Sequence, residues 1–170
     1  AASDVYKRQL VNNAAIFTAV ERKPFDEIPV SEWDAVMGVN VRGVWLGCKA
    51  VVESMREQKY GKIISICTGR IFKGSPFFLH YDASKAAVLG ITRSLAREVG
   101  DHNICVNAIA PGWILVENHL QVLGDFDRQE AGGTIPAGFI GTPDDIAGMA
   151  LYLASAAARY VIAQTIVVDG

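Results

Sequence analysis

Three short apolar runs restrict the fold of this chain more than any other feature. They are Ile63-Ile-Ser-Ile-Cys67, Asn103 to Ala108 with Ile-Cys-Val at its centre, and the β-branched run Gln164 to Val168. Such runs read as strands buried on both faces, which is the condition of strands in a parallel sheet. Leu10-Val11 reads as the tail of a further short buried strand, followed by the turn Asn12-Asn13-Ala14-Ala15. Helical patterns separate the strands. One runs from about Ser31 to Gln58, with Ser31 as cap and Asp34 reaching back, and its apolar positions are too many for a single stripe, so it is expected to be extensively buried. Tyr60-Gly61-Lys62 ends it. A second helix runs from about Leu79 to Val99, with Gly100 as its stop, and a third spans Asp144 to Ala154 behind Thr142 as cap, Pro143 and Asp145. The order strand, helix, strand, helix, strand, irregular segment, helix, strand indicates α/β architecture with about four parallel strands and helices on both faces. That is about half of a doubly wound, Rossmann-like sheet.

Composition bounds the partners. With 170 residues the chain can bury a real core, and 51% hydrophobic and 20% charged residues are ordinary globular values. A formal net charge of −2 gives no sign of a nucleic-acid partner. No apolar run is read as approaching bilayer-spanning length, and the N-terminus has no apolar signal core, so no membrane is expected. Cys48, Cys67 and Cys105 lie in or beside apolar runs without metal-ligand spacing. Three thiols in buried-looking elements fit core residues in a reducing cytoplasm better than disulfides, and no metal site is expected. Ala1 to Gln9 is irregular and reads as a leader, non-native or badly joined; residues 10–170 read as one domain.

Chemistry is concentrated between Thr68 and Lys85. Tyr81 and Lys85, four apart at a helix start, share one helix face. A phenol ordinarily titrates near pH ~10, and a neighbouring ammonium favours the phenolate. Thr68 follows a strand, where ligands bind in open α/β sheets. The three side chains together make a site for protonating or deprotonating an oxygen. A half-buried tyrosine beside a surface lysine accounts for Tyr-x-x-x-Lys alone; the preceding strand, the following helix and Thr68 favour the chemical reading. Asn40, between Val39 and Val41, is locally best read as a helix-kinking or bridging amide. The irregular stretch Trp113 to Gly141 reads as a lid, with Trp113, Leu115, His119, Leu120, Leu123 and Phe126, together with Phe77 and Phe78, as an apolar pocket wall. His80 and His119 read as surface polar residues, with contact to a substrate as the alternative.

Asn12-Asn13-Ala14-Ala15, Asn40, Thr68, Tyr81-Asp-Ala-Ser-Lys85, Val106-Asn107-Ala-Ile-Ala-Pro111-Gly112 and Gln164-Thr-Ile-Val-Val-Asp169-Gly170 occur in this order. Together they resemble the short-chain dehydrogenase/reductase family, in the branch similar to 3-oxoacyl-carrier-protein reductases and secondary-alcohol dehydrogenases. The resemblance covers everything after Gln9. It implies an NAD(P)-dependent oxidoreductase interconverting a secondary alcohol and a ketone. It implies Tyr81 as general acid and base, Lys85 lowering the pKa of Tyr81 and holding the nicotinamide ribose, Thr68 on the substrate oxygen and Asn40 anchoring a water. It also implies Asn13, Ala14, Pro111, Gly112 and Ile114 along the cofactor, and a homo-oligomer, dimer or tetramer. Whether the small residues Ala83 to Gly90 serve the core or such an interface stays open.

The departures are equally specific. The family's opening strand, glycine-rich turn and pyrophosphate-binding helix do not occur in these residues, and neither does the residue that selects NAD or NADP. The chain reads as starting near the fourth strand of a seven-stranded sheet, an N-terminally truncated piece that is poorly stable and close to inactive by itself. Thr68 stands where Ser is usual, Ala15 where Gly is usual, and Val116 where a hydroxyl often touches the cofactor. Ile162-Ala163 replaces the common Thr-Gly, so the turn is expected to be strained. The competing reading is a non-catalytic fragment or degenerate relative. An isomerase or dehydratase on the same scaffold usually carries a larger C-terminal region.

Overall fold

The computed structural model of the chain describes residues 7–17, 19–116 and 132–170. One sheet holds four parallel strands, β1 Gln9–Asn12, β2 Gly61–Ile66, β3 Ile104–Pro111 and β4 Thr165–Val168, in that spatial order. Val11 pairs with Ile64, Ile64 with Asn107, and Ile109 with Ile166. Because all pairs are parallel, the four C-terminal ends open on one side of the molecule.

Period-two alternation sorts the strand side chains into two cores. Ile63, Cys67, Ile104, Val106, Ala108 and Ala110 turn to one face. There they meet Val44, Cys48, Val51 and Met55 of the helix Gly43–Gln58, and Val88, Ala96 and Val99 of the helix Leu79–Val99. Ile64, Ile66, Ile109, Ile166 and Val168 turn to the other and pack on Leu153, Ile146 and Met149 of the helix Pro143–Ala154. Both faces are covered, so both parities along a strand are apolar, and the runs are continuous for that reason. Each fully buried Ile or Leu contributes about 1.5–3 kcal/mol of transfer free energy. We number the helices α1 (Val30–Met37), α2 (Gly43–Gln58), α3 (Leu79–Val99) and α4 (Pro143–Ala154).

Four details differ from the sequence reading. The first helix starts at Val30, and the carbonyl of Pro29 takes the N–H groups of Glu32 and Trp33. The Ser31–Asp34 capping box is not formed, because Pro29 already fixes a helix-compatible entry two residues before Ser31. Second, α1 and α2 are joined by a π-helical turn, Gly38–Arg42. Val30–Gln58 is thus one helix of 29 residues, with mean hydropathy 1.3, long and apolar enough by length and composition to cross a membrane. This corrects the expectation of no such run; here its buried side packs on the sheet. Third, the left-handed residue after α2 is Lys59, not Gly61. Gly61 opens β2, and a Cβ there would come within 2.5 Å of Met55 Sδ. Fourth, β3 runs on through Pro111, paired with Val168. Proline is tolerated because it is the last residue of the strand. The Thr142 box forms as read: the Asp145 carboxylate accepts from the Thr142 N–H at 2.6 Å and its hydroxyl at 2.8 Å.

Candidate active site

Thr68 lies two residues past β2, in extended conformation, and starts a 3-10 turn at Gly69–Phe72. Its hydroxyl accepts from the Arg70 N–H at 3.4 Å. Tyr81 is in the first turn of α3 and is 6% exposed. Its ring lies 4.9 Å from that of Phe17, centre to centre, within a cluster containing Val20, Val36 and Phe78. Lys85 stands one turn further on, with Nζ 6.0 Å from the Tyr81 ring centre. Nζ donates to the carbonyl of Ile66, the last residue of β2, at 2.9 Å. That bond fixes the first turns of α3 over the end of β2, where Thr68 emerges.

The electrostatics differ from the expected lysine-assisted phenol. Burial pushes Tyr81 up to about 12; the Arg70 guanidinium opposes this and the Asp82 carboxylate adds to it. Arg70, not Lys85, is therefore the group that draws the phenol down. Burial also pushes the Lys85 ammonium below its ordinary value. The sequence reading missed Arg70 because a lone arginine after a strand-end threonine carries no periodic signal.

Asn40 is completely buried in the π-helical turn. Its Oδ1 accepts from the Ile16 N–H at 2.8 Å; its Nδ2 donates to the Ile16 carbonyl at 3.1 Å and to Ser84 Oγ at 3.0 Å. The bridging reading describes these contacts. Ser84 in turn donates to the Tyr81 carbonyl at 2.7 Å. Ser84 is thus the link between the π-turn and the tyrosine, and its only sequence signal was its place inside Tyr81-Asp-Ala-Ser-Lys85. Asn107 holds the approach to β4, accepting from the Gln164 N–H and donating to the Val161 carbonyl.

Asn13 and Ala14 are exposed directly after β1; Pro111, the last residue of β3, and Gly112 and Ile114 after it are half-buried. They share the strand-end side with Lys85 and Tyr81. A Cβ on Gly112 would approach Asp169 Cα to 2.6 Å, so packing of the β3 and β4 ends explains this glycine without a ligand. The donor set suits a ribose: of the three N–H bonds on Lys85, Ile66 takes one. Two remain for hydroxyls.

His80 is the clearest miss. It is fully buried, not on the surface, and Nε2 donates to Glu32 Oε1 at 3.0 Å. Glu32 also pairs with Lys23 at 2.6 Å, and that bond holds its carboxyl below the usual range. Cys67 Sγ donates to the Ile109 carbonyl, and burial pushes its thiol up, which disfavours the reactive thiolate. Cys48 and Cys105 are likewise buried and free. Phe78 is buried, whereas Phe77 is 52% exposed and sits at φ +70°. The lid residues His119, Leu120, Leu123 and Phe126 lie outside the described residues. No metal-holding group of three or more His, Cys, Asp or Glu occurs among the described residues.

A parallel sheet with helices on both faces, a threonine past one strand end and a tyrosine and lysine on the next helix defines a Rossmann-like α/β chain. The family model described as enoyl-(acyl carrier protein) reductase matches residues 8–170. The chain belongs to the short-chain dehydrogenase/reductase family. It is 44% identical over 163 residues to a 2-dehydro-3-deoxy-D-gluconate 5-dehydrogenase from Dickeya dadantii, covering 95% of this chain and 63% of the relative. It is 37% identical to a 3-oxoacyl-[acyl-carrier-protein] reductase from Chlamydia pneumoniae, covering 95% and 63%. A crystal structure from Beutenbergia cavernae with NADP bound at low occupancy superposes with a TM-score of 0.85 at 37% identity, covering 95% of this chain and 64% of that one. Levodione reductase gives 0.85 at 34%, covering 96% and 65%. The chain thus spans about 63% of the length of the curated relatives named here.

Proposed function

We propose that the protein is an NAD(P)-dependent oxidoreductase that interconverts a secondary alcohol and a ketone, with Tyr81 as the general acid and base. The observation that carries this reading is the placement of a buried phenol and a buried ammonium over the strand end from which Thr68 emerges. The bound nicotinamide supplies or accepts the hydride. In the reducing direction Tyr81 gives its proton to the carbonyl oxygen as that oxygen becomes an alkoxide. The Thr68 hydroxyl donates to the same oxygen and holds it within reach. Lys85 would hold the ribose hydroxyls, and the Arg70 guanidinium stabilises the phenolate left behind. Asn40 and Ser84 keep the Tyr81 turn in place. Asn13, Ala14, Pro111, Gly112 and Ile114 would line the cofactor. The choice between NAD and NADP is open.

A phenol titrating at about 12 stays protonated through the neutral range, ready to act as an acid. The basic form required for alcohol oxidation becomes available only as the pH rises. We also propose a cytoplasmic homo-oligomer. Trp45 is about half exposed at a groove of about 340 Å³ between α2 and α3, with Val52, Ile91 and Leu95 in its wall and Lys49, Arg56 and Glu98 around them, a face suited to a second copy.

The test is an assay of NADH or NADPH oxidation by simple ketones with the full-length gene product. Lys85→Met and Thr68→Val should each lower kcat by about 100-fold or more. Unchanged turnover in both would remove the reading. A non-catalytic relative would show no turnover with either nucleotide.

A further inference from the structure

Arg70 stands where it has no evident structural task that uses its whole side chain. Its guanidinium carbon lies 4.0 Å from the centre of the Phe78 ring and 5.9 Å from that of Tyr81. Stacking of this kind occupies the flat face of the guanidinium and leaves its N–H edge for hydrogen bonds. Only Nε is used in this way, donating to Asp82 Oδ1 over a long 3.3 Å. Nη2 is buried without a partner among the described residues. A buried cationic donor with nothing to bond is costly, and a ligand oxygen relieves that cost. Arg22 approaches the same Phe78 ring at 5.3 Å. Around Phe78 and Tyr81 the structure thus places Arg22, Arg70 and Lys85, with Asp82 paired to Arg70.

The backbone of Arg70 is equally well placed. Its N–H is bonded to the Thr68 hydroxyl, so the guanidinium arises from the same turn that presents that hydroxyl. The guanidinium lies against the Tyr81 ring and rises from the turn that starts at Thr68, so it flanks the site those two side chains define. We propose that Arg70 binds a carboxylate on the substrate, so that the site takes a short keto acid or hydroxy acid with its carboxylate a few bonds from the reacting carbon. This rests on the oxidoreductase reading above and adds to it the charge and geometry of the substrate. A guanidinium suits a planar carboxylate through paired N–H···O bonds, which an ammonium cannot reproduce. Asp82 orients the fork through Nε and leaves its terminal nitrogens for the substrate.

The test uses the full-length gene product with 3-oxobutanoate, 4-oxopentanoate and 5-oxohexanoate, each against its methyl ester. The ester keeps the ketone and removes the charge. The unsubstituted enzyme should prefer at least one acid over its ester in kcat/KM. Arg70→Gln should reduce that acid-to-ester ratio by about 10-fold or more, chiefly through KM for the acid. Arg70→Lys, which keeps the charge and loses the fork, should fall between the two. In the same Arg70→Gln protein the Tyr81 phenol should titrate higher than in the parent, a readout that also shows the variant is folded. An acid-to-ester ratio unchanged by both substitutions, with Lys85→Met still strongly impaired, overturns the carboxylate assignment and leaves the oxidoreductase reading standing. Turnover unaffected by Lys85→Met overturns both.

Discussion

Ala163 sits at φ +60°, in the left-handed region that an L side chain enters at a cost of roughly 1–2 kcal/mol. It is held there by its N–H bond to the Val106 carbonyl at 2.8 Å, at the turn that delivers Gln164 to Asn107. Ala163→Gly should therefore stabilise the fold by about 1 kcal/mol, since glycine takes this conformation freely. Chemical denaturation would show it as a higher midpoint at unchanged slope. The sequence reading anticipated this strain from a missing glycine, because a backbone requirement leaves a mark on residue type. It could not anticipate Arg70, Phe17 or His80, whose roles exist only once α3 is laid against the loops before α1 and after β2. Tyr81 makes the same point in its titration. Its folded pKa is raised above the unfolded value of about 10 by burial. Its contribution to stability is thus fully present below pH ~10 and is lost as the pH climbs towards ~12. Lys85, whose folded pKa is lowered, acts in the opposite sense, losing stability as the pH falls below its unfolded value. A tyrosinate absorbance titration of the folded protein, compared with that of Tyr81→Phe, should assign Tyr81 a midpoint well above 10. A Tyr81 midpoint at or below about 10 would contradict the buried, proton-retaining phenol.

At the level of elements, the strands were readable and the helix junctions were not. Two buried faces force continuous apolar runs, so all four strands announce themselves, to within a few residues at their ends. The π-helical turn at Gly38–Arg42 has no such signature: Val39-Asn40-Val41 looks like ordinary helix interrupted by an amide. Only the fold shows that the extra residue in that turn lets Asn40 reach Ile16 and Ser84 together. π-turns often mark functional positions, and here the turn ties the loop after β1 to α3. Asn40→Ala removes three bonds and leaves Ile16 N–H and C=O short of partners in a buried place. It should destabilise the protein by about 1–3 kcal/mol, measurable by denaturant unfolding. Asn40→Asp, which keeps the acceptor for Ile16 N–H and loses both donor bonds, should not restore stability.

Over the whole molecule, one architectural fact connects these features: parallel strands of a single sheet end on the same side. Thr68, Pro111 and Asn13 lie at the C-terminal ends of three different strands and are brought to one side by that rule alone, while Lys85 is tied to the same edge by its bond to Ile66. The class of fold and the strand-end position of the site were legible in the sequence for this reason. The charge around the site was not, since it depends on burial and on cations from separate loops. The account turns on Tyr81 as the residue that moves the substrate's proton. The most direct measurement is steady-state turnover and nucleotide binding of Tyr81→Phe in the full-length gene product. The account predicts that kcat falls by about 100- to 10,000-fold while the nucleotide dissociation constant changes little. Turnover retained at the parent level would contradict it.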